Sequence, residues 1–108
     1  MRKVLITAVV ALAAAALVAA PAGARTRTVR VGDDFFSPRT IHIHRGDRVR
    51  WRWTGHNPHT VTAIRGPARF DSGVRTGGTY THRFRRRGTY LIQCMVHGPM
   101  MRMRVIVR

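Results

Sequence analysis

Arg48-Val49-Arg50-Trp51-Arg52-Trp53 places an apolar residue at every second position and an arginine between each pair. A period of two is the period of a β-strand, whose successive side chains point to opposite faces. The segment predicts a strand with Val49, Trp51 and Trp53 facing a core and the arginines facing water. The same period recurs on both sides. Upstream, Val29 and Val31 flank Arg30, and Ile41 and Ile43 alternate with His42 and His44. Gly32-Asp33-Asp34 interrupts the first run, Phe35-Phe36-Ser37-Pro38 follows it, and Arg45-Gly46-Asp47 makes the turn before Arg48.

Downstream, Gly55 to Pro58 reads as a loop. His59 to Ile64 reads as a strand with Val61 and Ala63 inward, and residues 65–78 read as irregular. Tyr80, His82 and Phe84 share a strand face, Thr89 to Gln93 forms a short strand leading into Cys94, and Met101, Met103, Val105 and Val107 share the inner face of a last strand. No helical period appears after Arg25. Six to eight short strands separated by turn residues predict an all-β chain, a two-sheet Greek-key β-sandwich.

The first residues have another character. Met1-Arg2-Lys3, an apolar run from Val4 to Ala20, and Ala22-Gly23-Ala24 have the three parts of a secretory signal peptide. We expect residues 1–24 to be a signal peptide and 25–108 to be one small domain, exported to a periplasm, a cell surface or the medium. An uncleaved anchor is the alternative, since the run is close to the lower limit for spanning a bilayer. A domain this small buries little surface and gains from a staple. That staple cannot be an internal disulfide, because Cys94 is the only cysteine.

Of the 20 basic residues, 18 remain once Arg2 and Lys3 are set aside, and all are arginine, against four Asp and no Glu. Such a charge favours acidic partner proteins and polyanions. Arginine also solvates the outer face of a strand, so charge alone names no partner. No motif for specific nucleic-acid recognition is present.

The chemistry sits in Cys94-Met95-Val96-His97-Gly98-Pro99-Met100-Met101, with His59 upstream behind Pro58. Taken singly, each residue has an ordinary explanation: a buried small cysteine, a core methionine, a surface-loop histidine. Together, two imidazoles, one thiolate and a weak thioether are the ligand set of a blue-copper electron-transfer site. Zinc accepts Cys and His too, but gains little from a thioether.

In order along the chain, Asp34-Phe35-Phe36-Ser37-Pro38, Ile41 to Val49, Trp51, Pro58-His59-Thr60-Val61-Thr62, Phe70-Asp71-Ser72-Gly73, Gly88-Thr89-Tyr90 and Cys94-x2-His97 resemble the plastocyanin/amicyanin branch of the cupredoxins. The resemblance runs from Val29 to Val107. It implies a copper-binding sandwich that shuttles single electrons, with one copper per chain. His59 matches the first imidazole ligand, Cys94 the thiolate and His97 the second imidazole, which in the family serves as the electron port. The axial thioether is Met100 by the amicyanin spacing His-x2-Met and Met101 by strand register, with the balance toward Met101. Family members often have Asn after the first histidine; here Thr60 stands there, and its hydroxyl is expected to tie the two ligand loops together. His82 is expected to be structural. His42 and His44 form a candidate second weak site, and His56 a competitor for His59.

These features predict a monomeric electron carrier rather than an enzyme, docking on an acidic redox partner. Two other readings remain open: a copper-binding protein for delivery, resistance or storage, and an Arg-rich polyanion-binding module.

Overall fold

In a computed structural model, residues 23–108 are described, and they carry strands and no helix. The expected signal segment falls, apart from its last two residues, outside them. The strands are β1 (Thr26–Gly32), β2 (Phe35–Ser37), β3 (Thr40–Ile43), β4 (Arg48–Trp53), β5 (Thr62–Arg65), β6 (Thr79–Arg83), β7 (Gly88–Cys94) and β8 (Gly98–Val107). They form two four-stranded mixed sheets, ordered β2-β1-β4-β6 and β3-β8-β7-β5. β1 runs parallel to β4 and β3 parallel to β8, while the other pairs are antiparallel. Every connection from β2 to β7 crosses between the sheets, so within a sheet only β1–β2 and β7–β8 pair neighbours in sequence.

The alternation builds the core. Val49 and Trp51 are fully buried and Trp53 nearly so, while Arg50 and Arg52 are exposed. Val29 and Val31 face them from β1, and Tyr90, Ile92, Met103 and Val105 from the other sheet. Trp51 sits within 6.3 Å, centroid to centroid, of Phe70, Tyr80 and Phe84. Its indole N–H reaches Met103 Sδ at 3.3 Å, which gives a buried donor an acceptor across the sheets.

One expected strand is shorter than its sequence pattern. Residues 59–61 do not join β5; they pair with the segment read as irregular. His59 and Arg75 exchange backbone hydrogen bonds at 2.9 and 3.0 Å, and Ser72 N–H donates to Val61 C=O at 2.9 Å. The chain from Phe70 to Arg75 folds back over the loop before β5 and fixes it, which places His59 inside the sandwich end.

The β7–β8 ladder breaks beside Cys94. It runs in one register as far as Gln93 opposite Arg102, then Cys94 pairs with Gly98. Pro99 to Met101 are looped out of the ladder, a bulge of the kind that re-aims side chains next to functional sites. Gly98 has φ 68°, a left-handed conformation that closes the tight Met95-Val96-His97 turn.

Candidate metal centre

Three connections meet at one end of the sandwich: the β4–β5 loop with His59, the β7–β8 turn with Cys94 and His97, and the two-residue β1–β2 turn, Asp33-Asp34, between the paired Gly32 and Phe35. One ligand atom each from His59, Cys94 and His97 lies within 4.8 Å of the others. Cys94 Sγ is 3.8 Å from His59 Nδ1 and 3.6 Å from His97 Nδ1. His59 and Cys94 are fully buried, while the His97 side chain keeps 29 % of its exposure. The cluster therefore has a sealed inner side and one imidazole at the surface.

Both rings are oriented from outside. His59 Nε2 lies 3.2 Å from Asp33 Oδ1, and His97 Nε2 lies 2.9 Å from Asp34 Oδ1. Asp33 also accepts the backbone N–H groups of His56 and Asn57 at 3.0 and 2.8 Å. The donors from Asn57 and His56 foremost, then the His59 ring, hold its carboxyl at about 2, below the ordinary 3.8, against an opposing effect of partial desolvation. An ionised carboxylate only accepts, so His59 must carry its proton on Nε2. That leaves the Nδ1 lone pair aimed at the sulfur. A carboxylate on the far nitrogen of a ligating histidine fixes both the tautomer and the ring direction.

The expected role of Thr60 is met. Its backbone N–H points at Cys94 Sγ at 3.4 Å, and its hydroxyl accepts the Met95 N–H at 2.8 Å. The Thr60 and Thr62 hydroxyls are 2.8 Å apart, and Thr62 donates to Asp71 Oδ1 at 3.0 Å. The carboxylate at the end of the relay sets every direction: Met95 donates to Thr60, Thr60 to Thr62, and Thr62 to Asp71. One buried hydroxyl thus joins the two ligand loops.

The methionines separate by burial. Met101 is 1 % exposed, on the inner side where β8 passes the end of β7, whereas Met100 is 88 % exposed. The remaining histidines stand apart from the cluster. His56 is exposed and contributes its backbone to Asp33. His42 and His44 are exposed on β3 and just beyond it, with Arg108 Nη2 3.5 Å from His42 Nδ1. His82 stacks on Phe70 at 3.9 Å and meets Phe84 edge-on at 4.9 Å, and burial, with Arg85 nearby, pushes its pKa below the usual 6.5. It packs as a core-edge residue.

Sequence reasoning overlooked Asp33 and Asp34. In sequence they break a strand, and Asp34 also opens the Asp34-Phe35-Phe36-Ser37-Pro38 stretch, but no spacing rule links either to rings 26 and 63 residues further along the chain. A non-glycine residue in a two-residue turn was the available clue.

A buried thiol between two Nδ1 atoms, with both Nε2 atoms engaged elsewhere and a buried methionine on the strand paired with β7, defines a mononuclear soft-metal centre on a β-sandwich. Comparison with known proteins agrees. Residues 25–108 match the model of the copper-binding proteins of the plastocyanin/azurin family. The chain belongs to that family, and its cofactor is copper, one ion per chain. Solved structures with the same fold include the reduced state of an amicyanin variant, 28 % identical, covering 87 % of this chain and 89 % of that one with a TM-score of 0.68. An oxidised amicyanin variant matches at 28 % identity over 86 % and 88 % of the two chains, TM-score 0.67. A copper-containing nitrite reductase from Thermus scotoductus SA-01 shares the fold at 23 % identity, over 76 % of this chain but 22 % of that one, TM-score 0.69.

Proposed function

We propose that this protein is an exported, monomeric carrier of single electrons, in which His59, Cys94, His97 and axial Met101 hold one copper ion. The observation that carries this reading is the pre-set donor geometry: both imidazoles are tied at Nε2, and both turn Nδ1 toward the Cys94 sulfur. Bound copper supplies a one-electron Cu(I)/Cu(II) couple. The protein supplies a site that needs little rearrangement between the two states. Cys94 gives a soft thiolate, Thr60 N–H approaches its sulfur, and buried Met101 offers a thioether of the kind that sits as a weak axial ligand.

The surface around His97 suits transient docking. Pro58, Met95, Val96, Pro99 and Met100 are exposed there, and the turns that carry the cluster contain no arginine. Arginine lies instead on the flanks, including a groove bounded by Arg39, Arg65, Arg102 and Arg104 on the outer face of the β3-β8-β7-β5 sheet. Among the described residues the ion pairs within 4 Å are the two His–Asp contacts, and no arginine takes part in one. A charge field of this kind steers an acidic redox partner, while the apolar end makes the short-lived contact. Anionic polymers would meet the same arginines, and heparin retention that survives Cys94→Ser would show it.

The test is voltammetry combined with chelator challenge. An electron carrier gives a reversible one-electron wave and holds its copper against a Cu(I) chelator. Loss of copper to the chelator before any reversible wave is seen would favour delivery or storage.

A further inference from the structure

Asp34 is the one non-glycine residue with a left-handed backbone among the described residues, at φ 73°. Glycine fills such positions without penalty, and a side chain retained there raises the question of its use. Here the use is visible: Asp34 Oδ1 lies 2.9 Å from Nε2 of His97, the surface imidazole of the cluster. The preceding residue, Asp33, makes the equivalent contact with His59. The two consecutive residues of one β-turn therefore hold the outer nitrogens of both rings.

We propose that Asp34 is a positioning residue for His97, fixing the Nε2–H tautomer with Nδ1 turned to Cys94, and that its negative charge biases the copper couple toward the oxidised state. The charge part rests on the copper reading above; the positioning part does not. A surface imidazole with no partner samples both tautomers and several ring orientations. A carboxylate at Nε2 selects one tautomer and one direction. The Cu(II) state carries one more positive charge than Cu(I), so a nearby carboxylate stabilises it preferentially. The turns that carry the cluster contain no arginine; the cation placed beside this turn is Arg30, 5.1 Å from the ring centroid of Phe35, and it damps the effect of the carboxylate without reversing its sign.

Two variants separate the effects from each other and from folding. Asp34→Gly suits the left-handed backbone and removes the carboxylate. Asp34→Asn tolerates that backbone and keeps an acceptor, but loses the charge. In the metal-free mature chain, nitrogen NMR of the His97 ring reads the tautomer directly. We expect Nε2–H in the parent and in Asp34→Asn, and a mixture in Asp34→Gly. In the copper-loaded protein at low ionic strength, both variants should favour Cu(I), read as an upward shift in midpoint potential; each tenfold change in the one-electron balance is about 59 mV. An unchanged tautomer in Asp34→Gly overturns the positioning role, whatever metal the site takes. An unchanged potential in Asp34→Asn overturns the charge effect. If the parent shows no reversible copper couple at all, the copper reading fails while the NMR result still decides the positioning role.

Discussion

Replacing Thr60 by Val removes one hydroxyl from a buried site and changes almost nothing else in shape. The residue is 3 % exposed, and its Oγ1 both accepts the Met95 N–H at 2.8 Å and donates to Thr62, which passes the interaction on to Asp71. Breaking a buried hydrogen bond so that a partner is left unpaired costs about 1–3 kcal/mol. In a domain of this size each kcal/mol lowers the melting temperature by about 4–8 °C. The Thr60 N–H to Cys94 Sγ contact is made by the backbone and survives the substitution. The metal-free protein should therefore melt several degrees lower and the copper-loaded protein should release copper faster, while the absorption band stays close to its original position. Thermal unfolding of both forms, with Thr60→Ser as the conservative control, measures this. A Thr60→Val melting temperature within about 1 °C of the parent would refute the claim that this hydroxyl joins the ligand loops.

Other outcomes follow from the same geometry. Met101→Leu conserves volume and should cost less than about 1.5 kcal/mol, yet alter the colour and raise the midpoint potential. Met100→Leu should leave spectrum and potential unchanged, and the reverse pattern would make Met100 the axial ligand. His82 has a lowered pKa because burial beside Phe70 and Phe84 disfavours its charged form. The unfolded chain then binds the extra proton more readily, so stability falls as pH drops from the unfolded value of 6.5 toward the lower folded value. Denaturant titrations across that window should show the slope, and His82→Phe should flatten it. Asp33 and Asp47 add a second acid-sensitive window. Their folded pKa values are depressed, Asp33 to about 2 from 3.8, so the stability they give is full above 3.8 and lost as pH falls through the folded value. Asp33→Asn should weaken the dependence below pH 4, read by the same titrations.

The alternation in Val49-Trp51-Trp53 and Met101-Met103-Val105-Val107 was sufficient to place both faces of their strands, because a period of two maps directly onto inside and outside. Cys94 and His97 were legible for a related reason: a thiolate and an imidazole three residues apart at a strand end must lie close in space. Other features depend on contacts between distant segments, which local patterning does not encode. Residues 59–61 looked like a strand and instead pair with Ser72 and Arg75 across a glycine-rich return. Asp33 and Asp34 looked like a chain break and instead hold two rings brought to them by other strands. The choice between Met100 and Met101 turned on a bulge at Gln93–Cys94, and the structure separates them by burying one and exposing the other.

The central claim is a copper–thiolate redox centre built on Cys94. Copper(II) titration of the purified mature chain, followed by visible absorption and then reduction, tests it most directly. We expect an intense blue band that saturates at one copper per chain, bleaches on reduction and is absent in a folded Cys94→Ser variant. A correctly folded chain that takes up copper without that band, or a band that persists in Cys94→Ser, would contradict it.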